Sequence, residues 1–225
     1  MKLIHGDCLE VMKTIPDESV DMVLADAPYG ARRPSARRKD AEQFDEISGN
    51  DGVCGAWLVG AERVLKEGGA VYVFVCWDRL GEWQEKMVEA GLRARSCIVW
   101  DKVVHGLADL RTCWAPQYEM ILFAAKGRHT LRGTRPKDIL TVQRVDPLKL
   151  VHPYEKPMSL ISMLIKASSD KGQTVLDPFM GSGTTGVAAI KTGREFIGIE
   201  IDRGYFDIAK RRIERASQRK GFFQE

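Results

Sequence analysis

Carboxylates follow four apolar segments of the sequence. The segments end as LIHGD, MVLAD, TVLD and FIGIE, and so place acids at Asp7, Asp26, Asp177 and Glu200. If these segments are parallel strands of one sheet, their carboxyl ends meet at the edge where such sheets bind ligands. A carboxylate there accepts hydrogen bonds from amines, hydroxyls or ring donors, although a single acid at a strand end is often only a helix N-cap. Four such acids predict a site for a ligand rich in donors.

The segment that begins at Asp177 reads DPFMGSGTTG and predicts a close approach of the backbone to that ligand. Gly181 and Gly183 free the backbone, and a helix from Thr184 directs its positive end to the same place. The spacing also fits the G-x-G-x-x-G pattern of an NAD-linked oxidoreductase, with Glu200 at the ribose. However, Asp177 repels a pyrophosphate and attracts a cation, so an aminoacyl ligand with an amine and a sulfonium is the better match.

The segment that begins at Asp26 reads DAPYG and suits a planar amine. The Asp26 carboxylate and a neighbouring backbone carbonyl can both accept hydrogen bonds, and Tyr29 offers a ring for stacking. The alternative is a strand end followed by a proline turn and a buried tyrosine. The other motifs favour the first interpretation.

Short apolar runs alternate with helical stretches, which predicts a Rossmann-like doubly wound α/β fold with a mainly parallel sheet. The predicted strands are 2–5, 20–25, 70–76, 97–100, 118–124, 174–176 and 196–199. The predicted helices are 9–14, 56–65, 80–90, 159–168, 184–191 and 205–217. Lys66–Gly69 is expected to stop a helix before a new strand.

Composition indicates one domain over residues 1–225, since 44% of the residues are hydrophobic and 29% are charged. No apolar run approaches the roughly 20 residues of a membrane helix, and the amino terminus shows no secretory stretch. The five cysteines are odd in number and form no C-x-x-C pair, which argues against disulfides and thiolate zinc. We therefore expect a cytoplasmic protein.

Two polar segments rich in basic residues interrupt the alternation. The loop 31–54 holds a run of basic residues, namely Arg32, Arg33, Arg37, Arg38 and Lys39. The insertion 126–151 includes Arg128, Arg132 and Arg135. Because such runs suit the phosphates of a nucleic acid, we expect both to flank the predicted ligand site, the first holding phosphates and the second reading bases, with a disordered solubilising loop as the alternative for the first. The basic stretch 203–220 alternates with acids at helical spacing, which is typical of a solvated face.

Together these motifs resemble the amino-methyltransferases of DNA that use S-adenosylmethionine. DAPYG resembles their catalytic Asp-Pro-Pro-Tyr motif, and LDPFMGSGTTGVAA resembles their methionine-binding motif. FIGIEID, IHGDCLEVM and HPYEKPMSLISMLI resemble the elements that contact the ribose, the adenine ring and the methionine end. The catalytic motif precedes the cofactor motif, an order similar to the family's beta class. The chain departs from the pattern at Ala27, which keeps the backbone carbonyl of the family's proline but not its fixed dihedral.

The resemblance implies S-adenosylmethionine as the cofactor and assigns residues to it. Glu200 is expected at the ribose, Asp7 with Cys8 at the adenine ring, and Asp177 with Phe179 at the methionine part. Lys156 either reaches the methionine carboxylate or is a solvated lysine at a helix start, and Asp202 is expected to be an N-cap. The full cofactor set is Asp7, Cys8, Asp26, Lys156, Ser159, Asp177, Phe179, Gly181, Ser182, Gly183, Thr184, Glu200 and Ile201.

The resemblance also implies the reaction, a direct in-line transfer of a methyl group to an amine of a flipped base in double-stranded DNA. The implied catalytic residues are Asp26, Ala27, Pro28 and Tyr29. No cysteine follows a proline and the histidines lack ligand spacing, so no covalent intermediate and no metal are expected. An Asp-first motif favours adenine N6. Cytosine N4, an RNA substrate and a catalytically silent relative are the alternatives. The resemblance also allows a homodimer and implies a bacterial or phage-borne protein.

Overall fold

The computed structural model describes residues 1–27, 53–106, 111–146 and 155–221. Pro28 and Tyr29 of the predicted catalytic motif lie outside the described residues. The five basic residues predicted in the loop that follows also lie outside them, namely Arg32, Arg33, Arg37, Arg38 and Lys39.

One sheet organises the described part of the chain. Its eight strands are β1 (Lys2–His5), β2 (Val20–Ala25), β3 (Leu65–Val75), β4 (Arg93–Asp101), β5 (Tyr118–Ala125), β6 (Ile139–Thr141), β7 (Thr174–Asp177) and β8 (Glu195–Glu200), in the order β1-β8-β7-β2-β3-β5-β4-β6. Strand β5 pairs antiparallel with β3 and β4, and every other pair in the sheet is parallel. The predicted doubly wound, mainly parallel sheet is therefore confirmed.

Helices cover both faces of the sheet. They are α1 (Cys8–Lys13), α2 (Val53–Val64), α3 (Leu80–Glu89), α4 (Met158–Ser168), α5 (Thr184–Thr192) and α6 (Arg203–Gly221), with a 3₁₀ turn at Trp77–Arg79. One core cluster packs α1, α2 and α3 on the sheet around Trp57 and Trp83, and the other packs α4, α5 and α6 around Tyr72 and Phe196. All six residues of β2 are buried, as expected for a central strand covered on both faces.

The predicted element boundaries agree with the structure to within a few residues, with two differences. The helix α2 ends at Val64, and Lys66–Gly69 lie inside β3 instead of stopping the helix. These four residues form a bulge in the pairing of β3 with β2. A single residue of β2 separates Val20 from Met22, whereas four residues of β3 separate their partners Leu65 and Ala70. The three-residue strand β6 was not predicted at all.

Within the described ranges, none of the helices has the length and apolar character needed to cross a membrane.

Candidate active site

The four predicted acids lie at one edge of the sheet, where β1, β8, β7 and β2 end. His5 pairs with Glu200 and Asp177 pairs with Gly198, so these strand ends are level with one another. Asp26 directly follows the last residue of β2, which is the neighbour of β7. The parallel arrangement therefore gathers residues separated by up to 193 positions (Asp7 to Glu200) along one rim.

Asp7, one of these four acids, and the nearby Asp202 both cap helices. Asp7 accepts a hydrogen bond from the backbone N–H of Leu9 at 2.8 Å and is the N-cap of α1. Asp202 accepts one from the N–H of Tyr205 at 2.8 Å and begins α6, as its sequence position predicts. The cap leaves Asp7 at the ligand rim, so its assignment to the adenine ring stays a prediction.

Glu200 holds the glycine turn against the end of β8. Its carboxylate accepts the backbone N–H of Gly181 at 2.8 Å and that of Asp202 at 2.9 Å. Burial raises the pKa of Glu200 above its ordinary value, opposed by these backbone hydrogen bonds. Both Gly181 (φ +49°) and Gly183 (φ +84°) adopt the left-handed conformation that favours glycine. The carboxylate and the turn thus form one rigid concave unit.

Asp177 is the most strongly perturbed carboxyl at the rim. Burial raises its pKa from 3.8 to about 7, opposed by hydrogen bonds from Thr185 and the N–H of Phe179, and the charges of Asp26 and Glu200 add to the rise. A cation placed beside Asp177 offsets both the cost of burying its charge and the repulsion from the other carboxylates. The amine and sulfonium of S-adenosylmethionine therefore fit this rim, whereas a pyrophosphate does not.

Cys8, which is expected with Asp7 at the adenine ring, is buried. This burial, with the nearby charge of Asp7, raises the pKa of its thiol to about 12. Phe179, expected at the methionine part, packs edge-on against Trp57 with ring centroids 5.5 Å apart, and Ile201, also expected at the cofactor, is exposed at 62%. The Cys8 thiol is thus an uncharged contact and not a nucleophile.

Lys156 contacts Asp26, the acid that is predicted to be catalytic. Its Nζ is 2.6 Å from Asp26 Oδ2 and 3.4 Å from Glu119 Oε2. Burial opposes the charge of Lys156, but Asp26 and Glu119 outweigh burial and raise its pKa. Sequence reasoning missed Glu119, although one acid inside the apolar strand YEMILFAA was a signal. The alternative of a solvated lysine is wrong, because the residue is only 9% exposed.

The residue before Lys156 contacts the glycine turn that contains Gly181 and Gly183. Glu155 accepts hydrogen bonds from the Thr184 hydroxyl at 3.3 Å and from the Arg212 guanidinium. Arg212 also donates to the backbone carbonyl of Ser182 at 2.9 Å and to its hydroxyl at 2.8 Å. Residues 155 and 156 therefore connect the glycine turn to Asp26. The prediction of a solvated face for α6 is wrong at Arg212, which binds these buried groups.

Ser159 is exposed on the first turn of α4, which begins two residues after Lys156, and its assignment to the cofactor stays a prediction. Two of the residues predicted to contact DNA are not brought to this rim. The backbone N–H of Arg128 bonds Glu67 beside the start of β3, and that of Arg132 bonds the carbonyl of Ala167. A cleft of about 450 Å³ lies there, at the edge of the sheet opposite to Asp26.

The expectation that the insertion flanks the catalytic cleft is therefore wrong for Arg128 and Arg132. Strand β5 runs antiparallel, so it returns the chain to the far edge of the sheet before the insertion begins. Only beyond the exposed Arg135 does β6 lead the chain back, to Thr141 beside the end of β4. Among the described residues there is no group of histidine, cysteine and acidic side chains that could hold a metal ion.

The sheet order and the acidic rim define a class, the Rossmann-like α/β proteins that bind ligands at the carboxyl ends of their strands. Within that class, the family model of N6 and N4 DNA methylases matches residues 20–211. The chain belongs to this family of S-adenosylmethionine-dependent amino-methyltransferases of DNA.

Curated relatives match nearly the whole chain. The Type II methyltransferase M.HinfI of Haemophilus influenzae is 28% identical, over 94% of this chain and 67% of its own length. The Type II methyltransferase M2.DpnII of Streptococcus pneumoniae is 29% identical, over 95% of this chain and 90% of its own length.

Solved structures share the fold. The complex of M1.HpyAVI with S-adenosylmethionine has a TM-score of 0.76 at 23% identity, covering 94% of this chain and 98% of that one. The cytosine-N4-specific PvuII DNA methyltransferase has a TM-score of 0.74 at 16% identity, covering 96% of this chain and 91% of that one. Because that second enzyme acts on cytosine, the fold alone does not decide between the two amines.

Proposed function

We propose that this chain transfers a methyl group from S-adenosylmethionine to N6 of adenine in double-stranded DNA. The observation that carries the proposal is the position of Asp26, at the end of β2 and beside the strands that end in Asp177 and Glu200. An Asp-first motif is associated with adenine in the family that the sequence resembles. The Type II relatives support a role in a restriction-modification system.

When bound, S-adenosylmethionine supplies an electrophilic methyl group on a sulfonium. The chain has to hold that cation, and it does so with the buried Asp177 and the turn at Gly181–Gly183, while Glu200 receives hydroxyl donors. Asp177 and Glu200 are thus proposed as binding residues, whose work is to orient the ligand toward β2.

Asp26 prepares the amine of the base. The lone pair of an exocyclic amine is delocalised into the ring, and acceptors on its hydrogens favour a tetrahedral nitrogen. Asp26 is 23% exposed at its side chain, so an amine can reach the carboxylate. The buried Ala27 follows directly, and its carbonyl is proposed as the second acceptor. Formation of the nitrogen–carbon bond would break the methyl–sulfur bond, whose electron pair would stay on a neutral thioether as the leaving group. The nitrogen would become cationic and release one proton to the Asp26 carboxylate.

The base has to leave the duplex to reach Asp26, because its amine is otherwise paired inside the helix. Tyr29, which lies outside the described residues, is proposed to stack on the extruded base on the basis of the motif alone. The basic loop 31–54 is proposed to hold the backbone.

The proposal is tested by transferring labelled methyl groups to DNA, digesting the DNA to nucleosides and separating the products. We expect N6-methyladenine from the parent and a loss of about 100-fold or more in kcat for Asp26→Ala, since the acceptor is removed. Label in N4-methylcytosine would overturn the base assignment. Parent-level turnover by Asp26→Ala would overturn the role of Asp26. Binding of cofactor and DNA without turnover by the parent would indicate a catalytically silent relative.

A further inference from the structure

We infer that Lys156 and Glu119 act as a pair of positioning residues that set the orientation and the effective charge of Asp26. The inference rests on the proposed function of Asp26 as the acceptor of the target amine. Neither residue is expected to touch the base. Lys156 acts through Asp26, and Glu119 acts through Lys156.

The geometry is that of a row of alternating charges. Lys156 Nζ lies 2.6 Å from Asp26 Oδ2 and 3.4 Å from Glu119 Oε2, and the ring of Phe74 lies 4.9 Å below the ammonium group. Glu119 continues the row, since its Oε1 is 2.6 Å from Lys102 Nζ. The row leads from the catalytic acid to the end of β4 at the same edge of the sheet.

The fold assembles this row from distant segments. Asp26 follows β2, Glu119 is the second residue of β5, and Lys156 precedes α4. Strand β3 lies between β2 and β5, and its Phe74 faces the lysine. The Lys156 side chain is only 10% exposed, and a buried ammonium is unfavourable unless anions satisfy it. Two acids on one buried lysine are therefore a specific arrangement and not a chance surface contact.

Lys156 alone would hinder the reaction that Asp26 serves. An ammonium group at 2.6 Å fixes the Asp26 carboxylate, but it also withdraws negative charge from the oxygens that the amine needs. It further opposes the positive charge that develops on the amine nitrogen during methyl transfer. Glu119 offsets this charge from the other side. The pair thus keeps Asp26 oriented while leaving it negative toward the base.

Lys156 is not the base that receives the proton. Asp26 and Glu119 outweigh the effect of burial and raise the pKa of Lys156, so it stays protonated and has no lone pair to offer. The ion pairs also lower the pKa of Glu119, although its burial opposes them. Both residues therefore contribute fixed charges.

The test compares Lys156→Met, Glu119→Gln and Glu119→Asp with a matched control. Glu62→Gln is that control, because Glu62 is also 31% exposed at its side chain and lies 3.2 Å from a lysine, Lys126, away from the rim. For each variant, kcat and the KM for S-adenosylmethionine are measured. Thermal melts check that each variant is folded.

The division of the effect between kcat and KM separates a positioning role from a structural one. Lys156 and Glu119 act on Asp26 and not on the cofactor, so kcat and kcat/KM should fall together. A merely structural role would disturb cofactor binding as well, and the conservative variant would not rescue it.

We expect kcat to fall about 10- to 100-fold for Lys156→Met and about 3- to 30-fold for Glu119→Gln, within the range of electrostatic contributions at active sites. The KM for S-adenosylmethionine should stay within about twofold. Glu119→Asp should recover part of the loss, and the double variant should resemble Lys156→Met, because Glu119 has no partner to act through.

Two results would overturn the inference. One is a parent-like kcat for folded Glu119→Gln, and the other is an equal fall in kcat for Glu62→Gln. Failure of the proposed function looks different, because Asp26→Ala would then retain activity whatever Glu119 and Lys156 do. An inactive Asp26→Ala with an unaffected Glu119→Gln would refute the positioning role alone.

Discussion

Asp177 shows that a single residue can favour ligand binding at the expense of the stability of the ligand-free protein. Its burial raises its pKa from 3.8 to about 7, so above that pH a charge is held in a poorly solvated place. Between these values the folded protein binds more protons at this position than the unfolded chain. The contribution of Asp177 to stability is therefore present at low pH and is lost as the pH rises through about 7.

We predict that Asp177→Asn stabilises the ligand-free protein at pH 8 relative to the parent. Because each tenfold change in proton affinity corresponds to about 1.4 kcal/mol, the gain in free energy of unfolding is at most about 4 kcal/mol. It should shrink toward zero near pH 4, where the parent residue is protonated. Urea unfolding of both proteins at several pH values measures the difference. A constant difference across pH would contradict the assigned cause.

The same substitution should weaken the binding of S-adenosylmethionine, because the cation loses its buried counter-charge. We expect a rise in Kd of about 10-fold or more at pH 8 and a smaller rise at pH 6, where the parent carboxyl is largely neutral. Isothermal titration of the two proteins with the cofactor checks this, and equal affinities at both pH values would argue against a cation beside Asp177.

Individual residues were predictable where their role is local. Asp202 caps its own helix, and a sequence position suffices to show that. Lys156 was not predictable in the same way, because its partner Asp26 lies 130 positions away and only the fold brings them together. Arg212 resembled a solvated residue, since its helix alternates charges, and only the position of Glu155 explains its burial.

The glycine turn before α5 owes its shape to contacts with another element as well as to its backbone. A Cβ on Gly183 would lie 2.9 Å from Ala209 Cβ and 3.0 Å from Ile213 Cδ1, both on α6. Gly183 also has φ +84°, a conformation that an alanine adopts at a cost of about 1–2 kcal/mol. The turn is therefore fixed by α6 behind it and by Glu200 beside it.

We predict that Gly183→Ala lowers the free energy of unfolding by about 1 to 3 kcal/mol and weakens cofactor binding. Gly81→Ala is the matched control, because Gly81 lies in α3 and nothing is within 4 Å of an added Cβ. An alanine there should stabilise the protein by about 0.5 to 1 kcal/mol without changing cofactor affinity. Thermal unfolding and cofactor titration of both variants distinguish the two cases.

Elements with long apolar runs were predictable, since central strands of a parallel sheet are continuously buried. Strand β6 was not, because it has three residues, of which only Leu140 is buried. The bulge at Lys66–Gly69 also has a long-range cause. Backbone hydrogen bonds between Gly68 and Lys126 and between Lys126 and Gly69 keep this stretch in the sheet, where the glycines alone indicate a turn.

At the scale of the whole molecule, the fold places Asp26 and the start of the insertion at opposite edges of the sheet. The five residue steps from Asp21 to Asp26 along β2 span about 16 Å at 3.3 Å per step, and Asp21 lines the cleft beside Arg128 and Arg132. The direction of one strand, β5, decides which edge the insertion begins on. No local pattern in the sequence determines that direction, which is why both basic segments were expected at the cleft.

We therefore predict that the two basic segments contribute unequally to DNA binding. Replacing Arg128 and Arg132 with alanine should leave DNA affinity and its salt dependence unchanged, since the backbone of both residues lies at the edge of the sheet opposite to Asp26. Replacing the four arginines of the loop that follows the catalytic motif should weaken binding strongly. These four are Arg32, Arg33, Arg37 and Arg38.

The size of that second effect follows from counterion release. Each phosphate contact contributes about 0.9 to the slope of log affinity against log salt concentration, so losing four contacts lowers the slope by about 3 to 4. Fluorescence anisotropy with a labelled duplex, repeated at several salt concentrations, measures both variants. An unchanged slope for the four-arginine variant would exclude the loop from the interface. A reduced slope for the variant at positions 128 and 132 would mean that DNA reaches the opposite edge, which a duplex seated only at the Asp26 rim does not require.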